Sequence, residues 1–397
     1  MNPALQRKLL FVGACAGMLV FGIVLAMLGT VFGMPEMHMR LRISLAQQGD
    51  LILLLYLGIF LASLLVGPLI DHLGNRINLI LSSVFVALAM LLFSSAHSFR
   101  MAALAAIVLG FGGGGLNTCT NALVSDVYGD NRGPMLNLLG IFFGIGALCV
   151  PMLAASLEGS FTIPQLLVFC ATLAGFCALL YVLIRFPRAK ATQAFSWRET
   201  LGVAAYPGVL LLAFILCFEA GNEACVAGWT STYANTSGFA PKIATFILAG
   251  YWAALMLGRV IAASLLQVMS KISVTATCAI ISVTGTLILL TARSLVMLVL
   301  GITLIGLSYG PIFPTTLAIA GDRYTREAGT VFGLLFSIAL LGGMIFPWAV
   351  GRISEQFSVR TGMLVPLLGA AGICTLSGKL MAEMRRGQGS NSTTAKT

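Results

Sequence analysis

Two glutamates, Glu219 and Glu223, stand four residues apart in the middle of a long apolar run, LLLAFILCFEAGNEACVAGW. At that spacing they share one face of a helix. In a medium of low dielectric, two carboxylates so close do not both ionise readily, so at least one holds a proton near neutral pH. A carboxyl that gains and loses a proton, or gathers a sodium ion, is a coupling device. The plainer alternative is structural: protonated carboxyls within interior hydrogen bonds, or Glu219 paired with Arg259 of the next apolar run.

Other polar side chains fall inside apolar runs. Asn117 and Asn121 share a helical face by the same spacing, and Asn137 and Asn222 lie in two further runs. Amides in lipid are costly, so they are expected to face the protein interior, where they can bind a hydroxyl-bearing solute or bond a neighbouring helix. Trp229 is a candidate stacking floor for a sugar ring, or else an interfacial tryptophan; Tyr56, Tyr251, Trp252 and Tyr309 are lesser candidates of the same kind. The glycine run at 110–115 is followed by neither Lys nor Ser/Thr at phosphate-loop spacing, so close helix contact is its better explanation. The nine cysteines all lie in apolar segments without a Cys-x-x-Cys pair, and the three histidines are scattered. Neither a disulfide framework, nor a metal site, nor an enzyme's catalytic constellation is expected, and no cofactor is implied.

The elements that must carry these residues are transmembrane helices. Of 397 residues, 58% are hydrophobic and 9% charged, too apolar for a soluble fold of this length. Reading for runs of about 20 apolar residues predicts about twelve spans, near 9–33, 50–70, 78–96, 101–125, 134–157, 163–185, 206–233, 242–267, 273–291, 295–320, 328–350 and 361–382. The net charge of +10 sits at the ends of these runs and forms no nucleic-acid patch. With the amino terminus inside, sixteen of the 23 Lys and Arg fall on the inner side, which places both termini in the cytoplasm. No cleavable signal peptide is read at the start, and residues 387–397 read as a polar, disordered tail.

The chain also repeats itself. Gly110, Gly114, Ala122, Asp126, Tyr128, Gly133, Gly146 and Pro151 meet Gly306, Gly310, Ala318, Asp322, Tyr324, Gly329, Gly342 and Pro347 at a constant offset of 196. Such half-chain repeats in a membrane protein point to a transporter with its site between the halves. The longest polar interruption, RFPRAKATQAFSWR at 185–198, separates the two copies. The expected organisation is a six-helix bundle over 1–187, a cytoplasmic linker over 188–205, a second six-helix bundle over 206–383 and a tail over 384–397.

After the second span comes GPLIDHLGNR, with Gly67, Asp71, Gly74 and Arg76 at the spacing of a tight cytoplasmic turn. Gly67 would allow close helix approach, Gly74 the permissive backbone, and Asp71 and Arg76 pairing with helix ends or each other. Here the chain resembles the major facilitator superfamily, whose loop reads G-x-L-x-D-R-x-G-R-R; His72 and Asn75 depart from it. The fourth and fifth spans resemble the fucose permease-like sugar branch at Asn121, Asn137, Gly144, Gly146 and Pro151. That branch often has an acid where Asn117 stands and a His where Gly140 stands. The seventh span resembles the same branch, with its animal sodium-dependent glucose transporters, at Gly221, Glu223, Trp229 and Tyr233, Glu219 being additional.

The resemblance implies an all-α integral membrane fold of two pseudo-symmetric six-helix bundles. It implies a monomeric, multi-pass inner-membrane symporter moving a small polar solute, a monosaccharide such as glucose, by alternating access. Asn117, Asn121, Asn137, Asn222, Glu223 and Trp229 would bind substrate, and Glu219 and Glu223 would couple H+ or Na+. Asp126 and Asp322, ending the fourth and tenth spans, would pair with Arg76 and Arg259 when the cytoplasmic side closes. An amphiphile exporter, a sugar uniporter and a receptor without flux are the alternatives.

Overall fold

The computed structural model describes residues 3–129, 132–160, 162–187, 202, 206–325 and 327–394. Among them the regular structure is helical throughout: α1 (Pro3–Phe32), α2 (Pro35–Leu41), α3 (Leu45–Ser94), α4 (Phe99–Tyr128), α5 (Arg132–Ser156) and α6 (Ile163–Leu183), then α7 (Pro207–Thr236), α8 (Pro241–Leu265), α9 (Lys271–Thr291), α10 (Leu295–Arg323), α11 (Ala328–Gln356), α12 (Val359–Gly362) and α13 (Leu364–Thr394). Eleven of the described helical stretches are long and apolar enough to cross a membrane. Side chains such as Phe176, Leu183, Val260 and Leu368 point outward, as lipid-facing residues do.

Helix α3 has 50 residues. At 1.5 Å per residue that is roughly 75 Å, more than twice the ~30 Å hydrocarbon core. It therefore holds the second and third predicted spans. They join at Gly74, whose φ of 78° and ψ of 163° lie outside the helical region. A backbone with positive φ favours glycine, so this part of the predicted turn is realised. Gly67 is not a helix contact: a Cβ there would meet nothing within 4 Å. The sequence also predicts neither α2 nor the length of α13, which continues through Thr394 across the supposed disordered tail. No proline follows Pro366 to stop it.

Helix starts are locally encoded. Ser44 and Thr162 cap α3 and α6 in reciprocal capping boxes with Gln47 and Gln165. Ser98, Ser270 and Ser294 cap α4, α9 and α10. Each satisfies amide groups that a helix end would otherwise leave bare.

The described residues divide into two compact units. One comprises those of Met1–Ala194, Val226–Ala253 and Pro347–Gly362; the other comprises those of Phe195–Cys225, Ala254–Phe346 and Met363–Thr397. These units cut across the half-chain boundary expected from the repeat, because segments of α7, α8 and α11 pack with the first-half helices. Inside the first unit, a side chain at Gly146 of α5 would strike the carbonyl of Leu19 in α1. Inside the second, one at Gly342 of α11 would strike the carbonyl of Cys217 in α7. The two glycines are repeat partners, so the repeat in sequence is also a repeat in helix crossings. The glycine run of α4 likewise lies against neighbouring helices, Gly110 on Leu55 and Gly115 on Ser82.

Candidate functional site

In the second unit, α7 places Glu219, Asn222 and Glu223 at i, i+3 and i+4, on one face of the helix. Glu219 is 1% accessible, Asn222 is fully buried and Glu223 is half-buried. Neither carboxylate oxygen of Glu219 and neither amide atom of Asn222 has a partner in good hydrogen-bond geometry. The charged groups that act on Glu219 are Glu223 and Arg259 of α8. Arg259 acts on Glu223 as well. The hydroxyl of Tyr309 in α10 faces Asn222 and Thr286 of α9, too loosely to count as bonded. Gly369 of α13 leaves room for the Asn222 amide, which a Cβ there would strike. Buried polar groups are ordinarily paired, and unpaired ones call for a ligand, a water or an ion. Chemically, the cluster offers acceptor oxygens, an amide, a phenol and one compensating cation.

The first unit holds the other predicted ligands in a different state. Asn121 of α4 donates to the backbone carbonyl and the side-chain oxygen of Asn117 at 2.8 and 2.9 Å, so its NH2 group is engaged within the helix. Asn137 of α5 is exposed. Trp229 is fully buried, and its indole N–H donates to the Pro347 carbonyl at 3.2 Å. It is therefore neither an interfacial tryptophan nor an open platform.

The predicted cytoplasmic pairings are not those found. Arg76 donates to the carbonyls of Tyr181 and Val182 at 3.4 and 2.5 Å, capping the end of α6. Asp322, largely exposed, pairs with the half-buried Lys271 at 2.5 Å. Arg259 acts instead on Glu219 and Glu223 of its own unit. Asp126 is exposed and Asp71 half-buried. The Arg132 side chain and Arg326 lie outside the described residues.

Sequence reasoning missed a polar seam in the first unit. Where the start of α3 meets the end of α11, Arg352 donates to Asp50 at 2.7 Å, and Glu355 accepts the Ala46 amide at 3.2 Å. Nearby, Asn235 of α7 donates to the Gly33 carbonyl at 2.7 Å, and Thr232 donates to Gln48 at 3.4 Å. Their only signal was the placement of opposite charges at the ends of two apolar runs.

Apolar helices long enough to span a bilayer, repeated crossings and a buried ionisable cluster define a polytopic membrane transporter. The sequence matches the family model of the Major Facilitator Superfamily over residues 9–347 and again over 212–393, and the chain belongs to that superfamily. It is 22% identical over 368 residues to the uncharacterized transporter y4wD of Sinorhizobium fredii (strain NBRC 101917 / NGR234), covering 92% of this chain and 96% of that one. Its fold is similar to a crystal structure of the nucleoside transporter NupG in variant form, with a TM-score of 0.77 at 16% identity, covering 95% and 99% of the two chains. A bacterial homolog of the human lysosomal transporter Spinster, in an inward-facing and unoccupied conformation, gives 0.77 at 14% identity over 95% and 98%.

Proposed function

We propose that this transporter moves a small, hydroxyl-rich solute, a monosaccharide such as glucose, across the inner membrane by alternating access, with both termini cytoplasmic and transport coupled to H+ or Na+. The observation that carries the reading is the buried turn of Glu219 and Asn222, set against Glu223 and Arg259 without a hydrogen bond of good geometry. An intramembrane carboxyl beside a second carboxyl and a guanidinium is a site where proton uptake and release can accompany a change of conformation. Glu223, half-buried, is the carboxyl more open to solute; Glu219 is its proton partner. The sugar class rests on the motifs of the fourth, fifth and seventh spans. Asn117, Asn121 and Asn137 would contribute hydroxyl contacts, and the Gly74 turn with Asp71, Arg76, Asp126 and Asp322 would bias the cytoplasmic side.

The test is uptake of labelled glucose into proteoliposomes, with competing sugars, nucleosides and a cationic amphiphile, with and without an inward H+ or Na+ gradient. Saturable glucose uptake accelerated by one gradient and lost in Glu223→Gln is the expected result. Uptake indifferent to both gradients would make the protein a uniporter and the carboxylates solute ligands. Competition by the amphiphile alone would overturn the sugar assignment.

A further inference from the structure

Two tryptophans are wholly buried in the first unit, and they differ in one atom's circumstances. The Trp229 N–H has the Pro347 carbonyl. Trp252 of α8, 1% accessible, has an indole nitrogen with no hydrogen-bond partner. An indole N–H normally finds an acceptor when buried, because leaving it bare forfeits its bond to water.

The surroundings of Trp252 are aromatic. Its ring meets Phe143 of α5 edge-on at 5.9 Å and Tyr251 at 5.2 Å, and Phe143 continues to Phe21 of α1 at 5.6 Å. A buried water would need about two to four polar partners. The two rings against Trp252 carry one hydroxyl between them. The rings form an apolar wall, while the N–H suits one oxygen acceptor.

We infer that Trp252, rather than Trp229, reads the transported solute: its N–H donates to a solute oxygen while the Phe21–Phe143–Trp252 row walls the solute's apolar face. This rests on the transport reading above but not on the solute being a sugar. The N–H selects a solute bearing an oxygen acceptor. The carboxylates of the second unit are a separate feature and enter neither the argument nor its test.

Trp252→Phe keeps an aromatic ring and removes the donor. Its expected effect is a KM raised about tenfold, the size of one lost neutral hydrogen bond, with little change in maximal rate. A solute lacking the recognised oxygen should lose the same factor on the wild-type protein and nothing further on Trp252→Phe. A second measurement does not depend on flux. With Trp197, Trp229 and Trp348 all changed to Phe, Trp252 is the remaining emitter. D-glucose, its deoxy series, uridine and tetraphenylphosphonium are then titrated in turn. A saturable emission change with any oxygen-bearing ring solute supports the assignment. If uridine alone produces it, Trp252 stands and the sugar class falls. If no solute moves the emission, or a transported one leaves both emission and the KM of Trp252→Phe unchanged, the assignment is overturned.

Discussion

The seam between α3 and α11 and the middle of α7 are both polar interruptions of an apolar protein, and they are built in opposite ways. At the seam, Asp50 has Arg352, and Glu355 has the first-turn amide of α3. In α7, Glu219 and Asn222 are more deeply buried and make no hydrogen bond of good geometry, with Glu223 and Tyr309 only loosely against them. A satisfied polar contact fixes one arrangement of helices. An unsatisfied one costs stability in the arrangement seen, by about 1–3 kcal/mol per group, and is tolerated where something else must bind. Polarity at the seam holds structure, and polarity in α7 is available for work.

The sharpest way to break this contrast is Glu219→Gln. Gradient-driven accumulation in proteoliposomes should fall roughly tenfold or more, about 1.4 kcal/mol, while the Tm in detergent stays nearly level because no well-formed hydrogen bond is lost. A fall in Tm with transport intact would reverse the assignment of roles. At the seam the largest effect should come from Gly49→Val. Gly49 lies against the backbone of Pro347, Trp348 and Gly351, with a Cβ only 3.1–3.2 Å from them. Overpacking there should remove about 1–3 kcal/mol, read as a lower Tm and poorer folded yield. Trp229→Phe should cost about 1 kcal/mol of stability through its lost bond to Pro347, with no change in KM. Asp50→Asn should have the smallest effect, within about 0–1 kcal/mol and shrinking with added salt, because the Arg352 side chain is 46% exposed.

The spans were legible because lipid imposes a length and a composition on every one of them, and Glu219 and Glu223 were legible because acids there are rare. Glycine at 74 could be placed in a turn because few residues tolerate that backbone. What a single sequence could not supply was adjacency. It did not say that α3 meets α11, so Asp50 and Arg352 read as two unrelated span ends. For the same reason the sequence points neither to Lys271 as the partner of Asp322 nor to the Pro347 carbonyl as the acceptor of the Trp229 N–H. Gly67 matched a motif whose contact is absent here; only the neighbour, not the letter, decides whether a glycine is needed.

The single-residue joint at Gly74 also sets a phase. With no loop to absorb a change, the third span starts at a fixed angle about its own axis, turning Asn78, Ser82 and Val86 inward. One residue inserted beside Gly74 would rotate that span by about 100° and carry those three side chains round toward lipid, so this turn should tolerate substitution far better than any change in its length.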